Sequence, residues 1–533
     1  MNQTEQIFCN GPIVTLEEGP APQAVLVRGE RIAALGSRAE LEAMAPGALR
    51  RDLEGRALLP AFLDAHSHIT AVAATLDLCP LGDAASPEEA AQRMARFRAE
   101  RAIPEGEWVI GFGYDHNVFP GKAHPTRAEL DRALPRNPAL MTHASGHMGT
   151  ANGLALSRLG LSRDTPDPEG GRLGRDAGGA LTGYLEEAAF FAAAGQIPKP
   201  SPAQALANLE RAQEVYLAHG ITLAQDGRTG RAEDQLLSTL AARDRLKLEV
   251  VGYADLQHCP ELVRRPPVGR YRVGGYKIFL DGSPQGRTAW MREPYLGGEA
   301  DYRGYPAHTD EEVAAAVERA LREGRQILAH CNGDAAAGQF LTACRRAQER
   351  VGRPVGTIRP VMIHAQTVGS DQLREAAELG VIPSFFAAHI WYWGDVHLEN
   401  LGRVRGAHIS PAGTAAGLGL PFTLHQDSPV LPPAPLESVW CAVCRRTRGG
   451  THLAEEERIS PREALRAVTR YAALQYGLER ERGRIAPGQR ADFVLLSGDP
   501  TAVEPEEIRS LRVEETIRAG ETVYRAGIQK TDR

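Results

Sequence analysis

Leu58-Leu59-Pro60-Ala61-Phe62-Leu63-Asp64-Ala65-His66-Ser67-His68 is the stretch from which the fold of this 533-residue chain can be worked out. It is an apolar run that ends in His-x-His. Because side chains alternate along a strand, residues i and i+2 point to the same face. At the end of a buried strand, His66 and His68 could therefore bind one metal ion. The alternative interpretation is two ordinary polar residues at a strand end.

The composition is that of a globular protein, with a charged fraction of 24% and many Gly and Pro residues. A net charge of −6 gives no reason to expect binding to nucleic acid or to an anionic membrane surface. Residues 1–11 lack a secretory signal pattern, and no stretch has the apolar length of a membrane span. The seven scattered cysteines fit reduced thiols. We therefore expect a cytoplasmic protein that acts on a small molecule.

Between residues 58 and 479, apolar strand-like segments alternate with helical patterns, which is typical of βαβ units. The predicted strands are Leu58–Asp64, Ile221–Gln225, Leu248–Tyr253, Gly275–Leu280, Gln326–Ala329, Pro360–Ile363, Ile382–Phe386 and Pro421–Leu424. Eight such strands predict an α/β fold, a (β/α)8 TIM barrel, whose chemistry lies at the C-terminal strand ends.

Two further parts of the chain lie outside this pattern. Residues 1–57 and 480–533 alternate apolar and polar side chains between turn residues, which predicts one small β-sandwich domain built from both chain ends. An insertion of about residues 77–215 separates the first two barrel strands. It is predicted to be mostly helical after Pro87 and again after Pro202.

Metal-capable side chains lie at or just past the ends of several predicted strands. The set is His66, His68, Lys277, His330, His364 and Asp427. Because the C-terminal ends of barrel strands meet at one rim, we expect these side chains to lie close together. Four imidazoles and a carboxylate suit Zn²⁺ or a similar divalent ion.

Lys277 is unusual because only five of the 61 basic residues are lysines and this one lies in an apolar strand. Burial beside cations would lower its pKa and expose a free amine. That amine could take up CO₂ to form a carbamate, an N6-carboxylated lysine whose two oxygens could bridge two metal ions. The alternative is an ammonium group paired with Asp281 or another carboxylate.

Asp427 has a different expected role, that of general base. A carboxylate that touches both the metal and a water molecule can accept the proton of that water and pass it to a leaving group. The alternative is a helix N-cap in front of Ser428-Pro429.

These segments resemble the amidohydrolase superfamily, and specifically its family 3, which includes N-substituted formamide deformylases and YtcJ-like proteins. The resemblance is carried by residues 59–68, 276–283, 330–336, 363–366, 425–430 and 484–493. It implies a hydrolase of amide or related C–N bonds, with the six side chains as the shell of one or two metal ions. Two positions depart from the family pattern: Ala61 replaces the usual Gly, and Cys331 follows His330 in place of a small residue.

The resemblance also implies a substrate pocket lined by the insertion, where we assign substrate contact to Tyr114 and His147. Core packing is the alternative for both.

Three aromatic residues after the seventh strand, Trp391, Tyr392 and Trp393, predict a pocket wall, with a packed loop as the alternative. Arg287 could bind a substrate carboxylate.

Three functions are therefore compared. The first is hydrolysis of an N-acyl or N-formyl amine, and the second is hydrolysis of a cyclic amide, a urea-like bond or an ester. A non-catalytic regulatory or binding barrel is the third, against which the intact ligand set argues. Deaminases of the superfamily usually carry a Glu shortly after the fifth-strand histidine, whereas His330 is followed by Cys331-Asn332-Gly333-Asp334. A homodimer is considered because such barrels often form dimers.

Overall fold

The computed structural model describes residues 5–297 and 301–527. The chain forms two compact units. The first unit comprises the described parts of Met1–Thr70 and Glu210–Arg533, and the second is Ala71–Leu209.

An eight-stranded parallel sheet forms the centre of the first unit. Its strands, in chain order and in neighbour order, are Phe62–Leu63, Ile221–Thr229, Glu249–Asp255, Tyr271–Phe279, Gln326–Cys331, Val361–His364, Ile382–Phe385 and Thr423–Leu424. The backbone N–H of His68 donates to the carbonyl of Ser428 at 2.8 Å, so the carboxyl ends of the first and last strands meet. The arrangement is consistent with the predicted (β/α)8 barrel.

The helices of the first unit follow the strands. The longer ones are Arg231–Ala242, Asp310–Glu323, Asp334–Val351, Ser370–Leu379, His389–Ala407 and Pro435–Cys444. The shorter ones are Arg38–Met44, Ala412–Gly417, Pro461–Ala467 and Arg470–Gln475, with 3-10 turns at Pro260–Arg264, Val355–Ile358, Glu455–Glu457 and Pro505–Ser510. No helix of the described residues is long and apolar enough to cross a bilayer.

Helix Asp310–Glu323 shows why these segments fold locally. Thr309 and Glu312 form a capping box at its start, and Gly324 ends it in the left-handed conformation with φ 63°. Val313 and Leu321 are buried on one helical face.

The first predicted strand, Leu58–Asp64, is split between two sheets. Ala57–Pro60 pairs antiparallel with Phe493–Leu496, and only Phe62–Leu63 joins the barrel sheet. The Ala61 N–H donates to the carbonyl of Asp492. This bond keeps the chain beside strand Phe493–Leu496 as far as Ala61. A continuous apolar run gives no sign of this change of sheet.

The two chain ends form two four-stranded sheets. Their strands are Glu5–Cys9, Ala24–Arg28, Arg31–Gly36 and Leu49–Asp52 in one sheet, and Ala57–Pro60, Phe493–Leu496, Val513–Arg518 and Glu521–Arg525 in the other. Both sheets contribute to one apolar cluster, in which the rings of Phe8 and Phe493 lie 5.4 Å apart. A sandwich needs such packing, but the β-sandwich domain and its boundaries at residues 57 and 480 stay predictions.

The second unit contains a six-stranded sheet that the sequence analysis missed. Its strands, in neighbour order, are Gly171–Arg175, Leu181–Glu187, Met148–Ala151, Ala139–His143, Val109–Tyr114 and Cys79–Pro80. Its helices include Pro87–Glu100, Arg127–Ala133, Gly153–Arg158 and Ala188–Gly195; Ile69–Thr75 and Pro202–Ala218 cross its boundaries, and 3-10 turns lie at His116–Val118 and Pro120–Lys122. Helices do follow Pro87 and Pro202, but the expectation of a mostly helical insertion is wrong.

Candidate metal centre

The six predicted ligands come from five strands of the barrel sheet. His66 and His68 follow the first strand, and Asp427 follows the last. The remaining three are carried by the fourth, fifth and sixth strands, namely Lys277, His330 and His364. Parallel strands place all of them at the carboxyl edge of the sheet.

The Asp427 carboxylate lies among three imidazoles. Its Oδ1 is 3.4 Å from Nε2 of His66 and 3.4 Å from Nε2 of His68. Its Oδ2 is 4.0 Å from Nε2 of His364. The imidazole ring of His330 lies beside that of His364, with 4.5 Å between the ring centroids. Residues far apart in the sequence thus converge on one point.

Lys277 reaches the same point from the fourth strand. Its Nζ lies 3.2 Å from Nε2 of His66, and its side chain is 2% exposed. Burial lowers the pKa of the Lys277 ammonium to about 8, so a free amine is accessible near neutral pH. Asp281, the alternative partner, instead places its Oδ1 3.3 Å from Nδ1 of His330.

Gln225 sets the tautomer of His66. Its Nε2 donates to the Ala65 carbonyl and to the Tyr476 hydroxyl, both at 2.8 Å. Its Oε1 therefore accepts from Nδ1 of His66, at 2.6 Å. A proton on Nδ1 leaves the Nε2 lone pair directed at the cluster, which is the arrangement of a metal-binding imidazole.

Asp281 is positioned to support His330. Its carboxylate accepts the backbone N–H groups of Trp290, Asn332 and Gly333 at 3.0, 2.9 and 2.7 Å. Three backbone donors hold this carboxylate beside the imidazole, where it can fix the orientation of the ring.

His425 was missed as a site residue in the sequence analysis. It is buried, and its Nε2 lies 3.1 Å from Nδ1 of His364. Ser384 on the seventh strand lies 3.0 Å from the other ring nitrogen of His425. The sequence did contain a signal, because His425-x-Asp427 repeats the i, i+2 spacing of His66-x-His68.

The expected alternative role of Asp427 as a helix N-cap is not what the structure contains. Asp427 lies in a turn with φ 52°, and the next helix begins at Pro435 with Ala434 before it. Burial raises the pKa of the Asp427 carboxyl, but the nearby imidazole of His68 and the charges of the other neighbouring histidines outweigh burial and hold it well below its usual value. Asp427 is therefore a carboxylate at neutral pH.

The donor set fits a divalent metal ion. His66, His364 and Asp427 offer ligand atoms that all lie within 4.8 Å of one another. Oδ1 of Asp427 is buried and has no hydrogen-bond partner among the described residues. A buried carboxylate oxygen without a partner destabilises the folded protein, unless a cation or a hydrogen-bond donor binds to it. Imidazole nitrogen and carboxylate oxygen are the ligands that borderline divalent ions take.

The three residues predicted to form an aromatic pocket wall lie in the first turns of helix His389–Ala407. Trp393 is 3% exposed and packs on His389, with 4.5 Å between the ring centroids. Trp391 contacts Trp440, with 5.1 Å between the centroids. The Tyr392 hydroxyl donates to Glu437 at 3.2 Å. Their assignment to substrate binding stays a prediction.

The other predicted substrate contacts are Arg287, Tyr114 and His147. Arg287 donates from Nε to Oδ1 of Asn400 at 2.8 Å. Tyr114 and His147 belong to the second unit, where Tyr114 is fully buried and His147 is exposed beside Glu187, at 3.0 Å. The roles of these residues stay predictions.

An eight-stranded parallel sheet with imidazoles and a carboxylate at its carboxyl edge defines the class: an α/β protein with a candidate hydrolytic metal centre. The model of the amidohydrolase family matches residues 51–524, so the chain belongs to that family. A second model, for the imidazolonepropionase-like composite domain of bacteria, matches residues 24–48.

Relatives match over nearly the whole chain. YtcJ of Bacillus subtilis (strain 168) is 29% identical, with 97% of this chain and 99% of that protein covered. An N-substituted formamide deformylase of Arthrobacter pascens is 30% identical, with 94% and 95% covered. The solved structure of an uncharacterized metal-dependent hydrolase from Pyrococcus horikoshii OT3 has a TM-score of 0.74 at 25% identity, with 94% and 99% covered.

Proposed function

We propose that this protein is a metal-dependent amidohydrolase that hydrolyses the C–N bond of an N-acyl or N-formyl amine. One observation carries the proposal: the buried amine of Lys277 and the carboxylate of Asp427 face the same imidazole, that of His66, at 3.2 and 3.4 Å. The N-substituted formamide deformylase relative suggests the bond type.

We further propose Zn²⁺ as the ion and N6-carboxylation of Lys277. A buried amine with a pKa of about 8 has the free lone pair that attacks CO₂. Neutral imidazoles do not balance the positive charge of bound metal ions. The resulting carbamate would supply negative charge for that purpose. His66, His68, His330, His364, Asp427 and carboxylated Lys277 would hold one or two ions. When bound, the metal supplies a Lewis acid and lowers the pKa of water.

The residues of this chain divide the remaining work. Asp427 accepts the proton of the attacking water, whose oxygen bonds to the carbonyl carbon. It then returns that proton to the amide nitrogen as the C–N bond breaks, so that a carboxylic acid and an amine leave. Gln225 and Asp281 hold His66 and His330 in position for the metal.

A substrate panel tests the proposal. The metal-replete protein should release amine from N-formyl or N-acyl amines more readily than it hydrolyses cyclic amides, urea-like compounds or esters. Faster hydrolysis of a cyclic amide, a urea-like compound or an ester would show that the proposed substrate class is wrong and would assign that other class. A protein that holds metal and hydrolyses none of them would favour the regulatory or binding function.

A further inference from the structure

A second group of metal-capable side chains lies wholly within the second unit. Strands Val109–Tyr114 and Ala139–His143 are parallel neighbours, and Tyr114 is paired with His143 in register. Asp115 and His116 follow the first of these strands directly, while His143 ends the second. The topology therefore brings these three side chains to one edge of the sheet.

The three ligand atoms form a compact triangle. Nδ1 of His116 lies 3.2 Å from Nε2 of His143. Oδ1 of Asp115 lies 3.7 Å from that same Nε2 and 4.0 Å from Nδ1 of His116. Bonds of 2.0–2.1 Å in a tetrahedral zinc site place neighbouring ligand atoms about 3.3 Å apart. Small side-chain shifts would thus bring all three atoms to bonding distance of one ion.

The triangle is largely shielded from solvent. The Asp115, His116 and His143 side chains are 12%, 23% and 5% exposed.

Neighbouring groups fix the orientation of both rings. The ring of His124 stacks on that of His116, with 3.9 Å between the centroids. Oγ of Ser145 lies 2.9 Å from Nδ1 of His143. With the proton on Nδ1 donated to this hydroxyl, Nε2 of His143 offers its lone pair to the triangle. The Ser145 N–H also approaches Nδ1, at 3.0 Å, and would give up that contact in the metal-bound tautomer.

We propose that Asp115, His116 and His143 form a second metal site, which binds Zn²⁺ or a similar borderline divalent ion and leaves one coordination position open. Two imidazoles and one carboxylate are the ligand set of an open zinc site. The site is independent of the proposed hydrolysis, because its ligands belong to the second unit alone.

Metal content after chelation and reloading with Zn²⁺ tests the proposal. His116→Ala and His143→Ala should each hold about one equivalent less than the wild type. His408→Ala is the matched control, since His408 is an exposed histidine paired with Glu456, and it should match the wild type. Equal zinc content in the wild type and His116→Ala would overturn the proposal.

Cobalt spectroscopy separates this site from the barrel centre and does not depend on His143→Ala folding. In a His66→Ala/His68→Ala background, the full chain loaded with Co²⁺ should show the visible absorption bands of four-coordinate cobalt. Adding His116→Ala, a partly exposed position, should abolish them. Bands that persist unchanged would contradict the assignment, whatever the outcome of the amide assays.

Discussion

Asp427 has a buried carboxylate oxygen that lies 3.4 Å from two imidazole nitrogens, those of His66 and His68. Replacing it with Asn keeps the shape and one ligand oxygen but removes the basic group. Asp427→Asn should therefore retain metal while kcat falls by roughly 10²–10⁴-fold. Steady-state kinetics together with metal analysis check this, and normal turnover would remove the role of general base.

Lys277 is the residue on which the carbamate depends. Lys277→Ala should lose metal and activity and regain part of both when a short carboxylate such as acetate is added, because that carboxylate can occupy the place of the carbamate. Lys277→Arg should be inactive, since a guanidinium cannot be carboxylated. Full activity of Lys277→Arg would show that no carbamate is needed.

The pKa of Lys277 gives a pH dependence for assembly of the site. With a pKa of about 8, only about 1% of the amine is free at pH 6 and about half at pH 8. At constant dissolved CO₂, reactivation of metal-free protein by Zn²⁺ should accelerate roughly tenfold per pH unit up to pH 8 and then level off. A rate independent of pH over this range would argue against attack by the free amine.

At the scale of the element, strand Ile221–Thr229 carries the support of His66. It provides Gln225, which fixes the tautomer, and Gly227, which lies against the imidazole. A Cβ at Gly227 would overlap the ring, closest at Cε1, and would lie 2.8 Å from its Nδ1. Glycine at this position is thus required by the close approach of the His66 imidazole to strand Ile221–Thr229.

Gly227→Ala should therefore displace His66 and weaken metal binding by roughly 10–100-fold, the usual effect of disturbing a group that orients a ligand. Gly417→Ala is the control, because a Cβ there would meet nothing within 4 Å and the residue ends a helix without positive φ. Competition titration with a chelator measures both affinities. Equal affinity in the two variants would mean that Gly227 does not constrain the centre.

At the scale of the whole molecule, the barrel sheet could be predicted because its strands are largely buried and contain short apolar runs. Each of the eight predicted strands overlaps a strand of the observed sheet. The rule that functional side chains lie at the carboxyl ends of barrel strands then placed His66 and Lys277 together. They are 211 positions apart in the sequence, and Nζ of Lys277 lies 3.2 Å from Nε2 of His66.

Other features of the fold depend on pairing between segments that are distant in the sequence, which a local sequence pattern does not indicate. Leu58–Pro60 is as apolar as Phe62–Leu63, and only pairing with Phe493–Leu496 assigns it to another sheet. The sheet of the second unit was not predicted because the insertion was expected to be mostly helical, and its strands pair only with one another. His425 is identified by its three-dimensional neighbours His364 and Ser384, at 3.1 and 3.0 Å, which are far from it in the sequence.

The most direct measurement is a crystal structure with anomalous scattering data collected at the metal absorption edge. The account predicts an anomalous peak about 2.0–2.2 Å from Nε2 of His66 and from Nε2 of His68, with extra density of a carboxyl group on Nζ of Lys277. The opposite result is a site without an anomalous peak, in which the unmodified Lys277 points away from His66. That result would contradict the central claim that these side chains hold a hydrolytic metal.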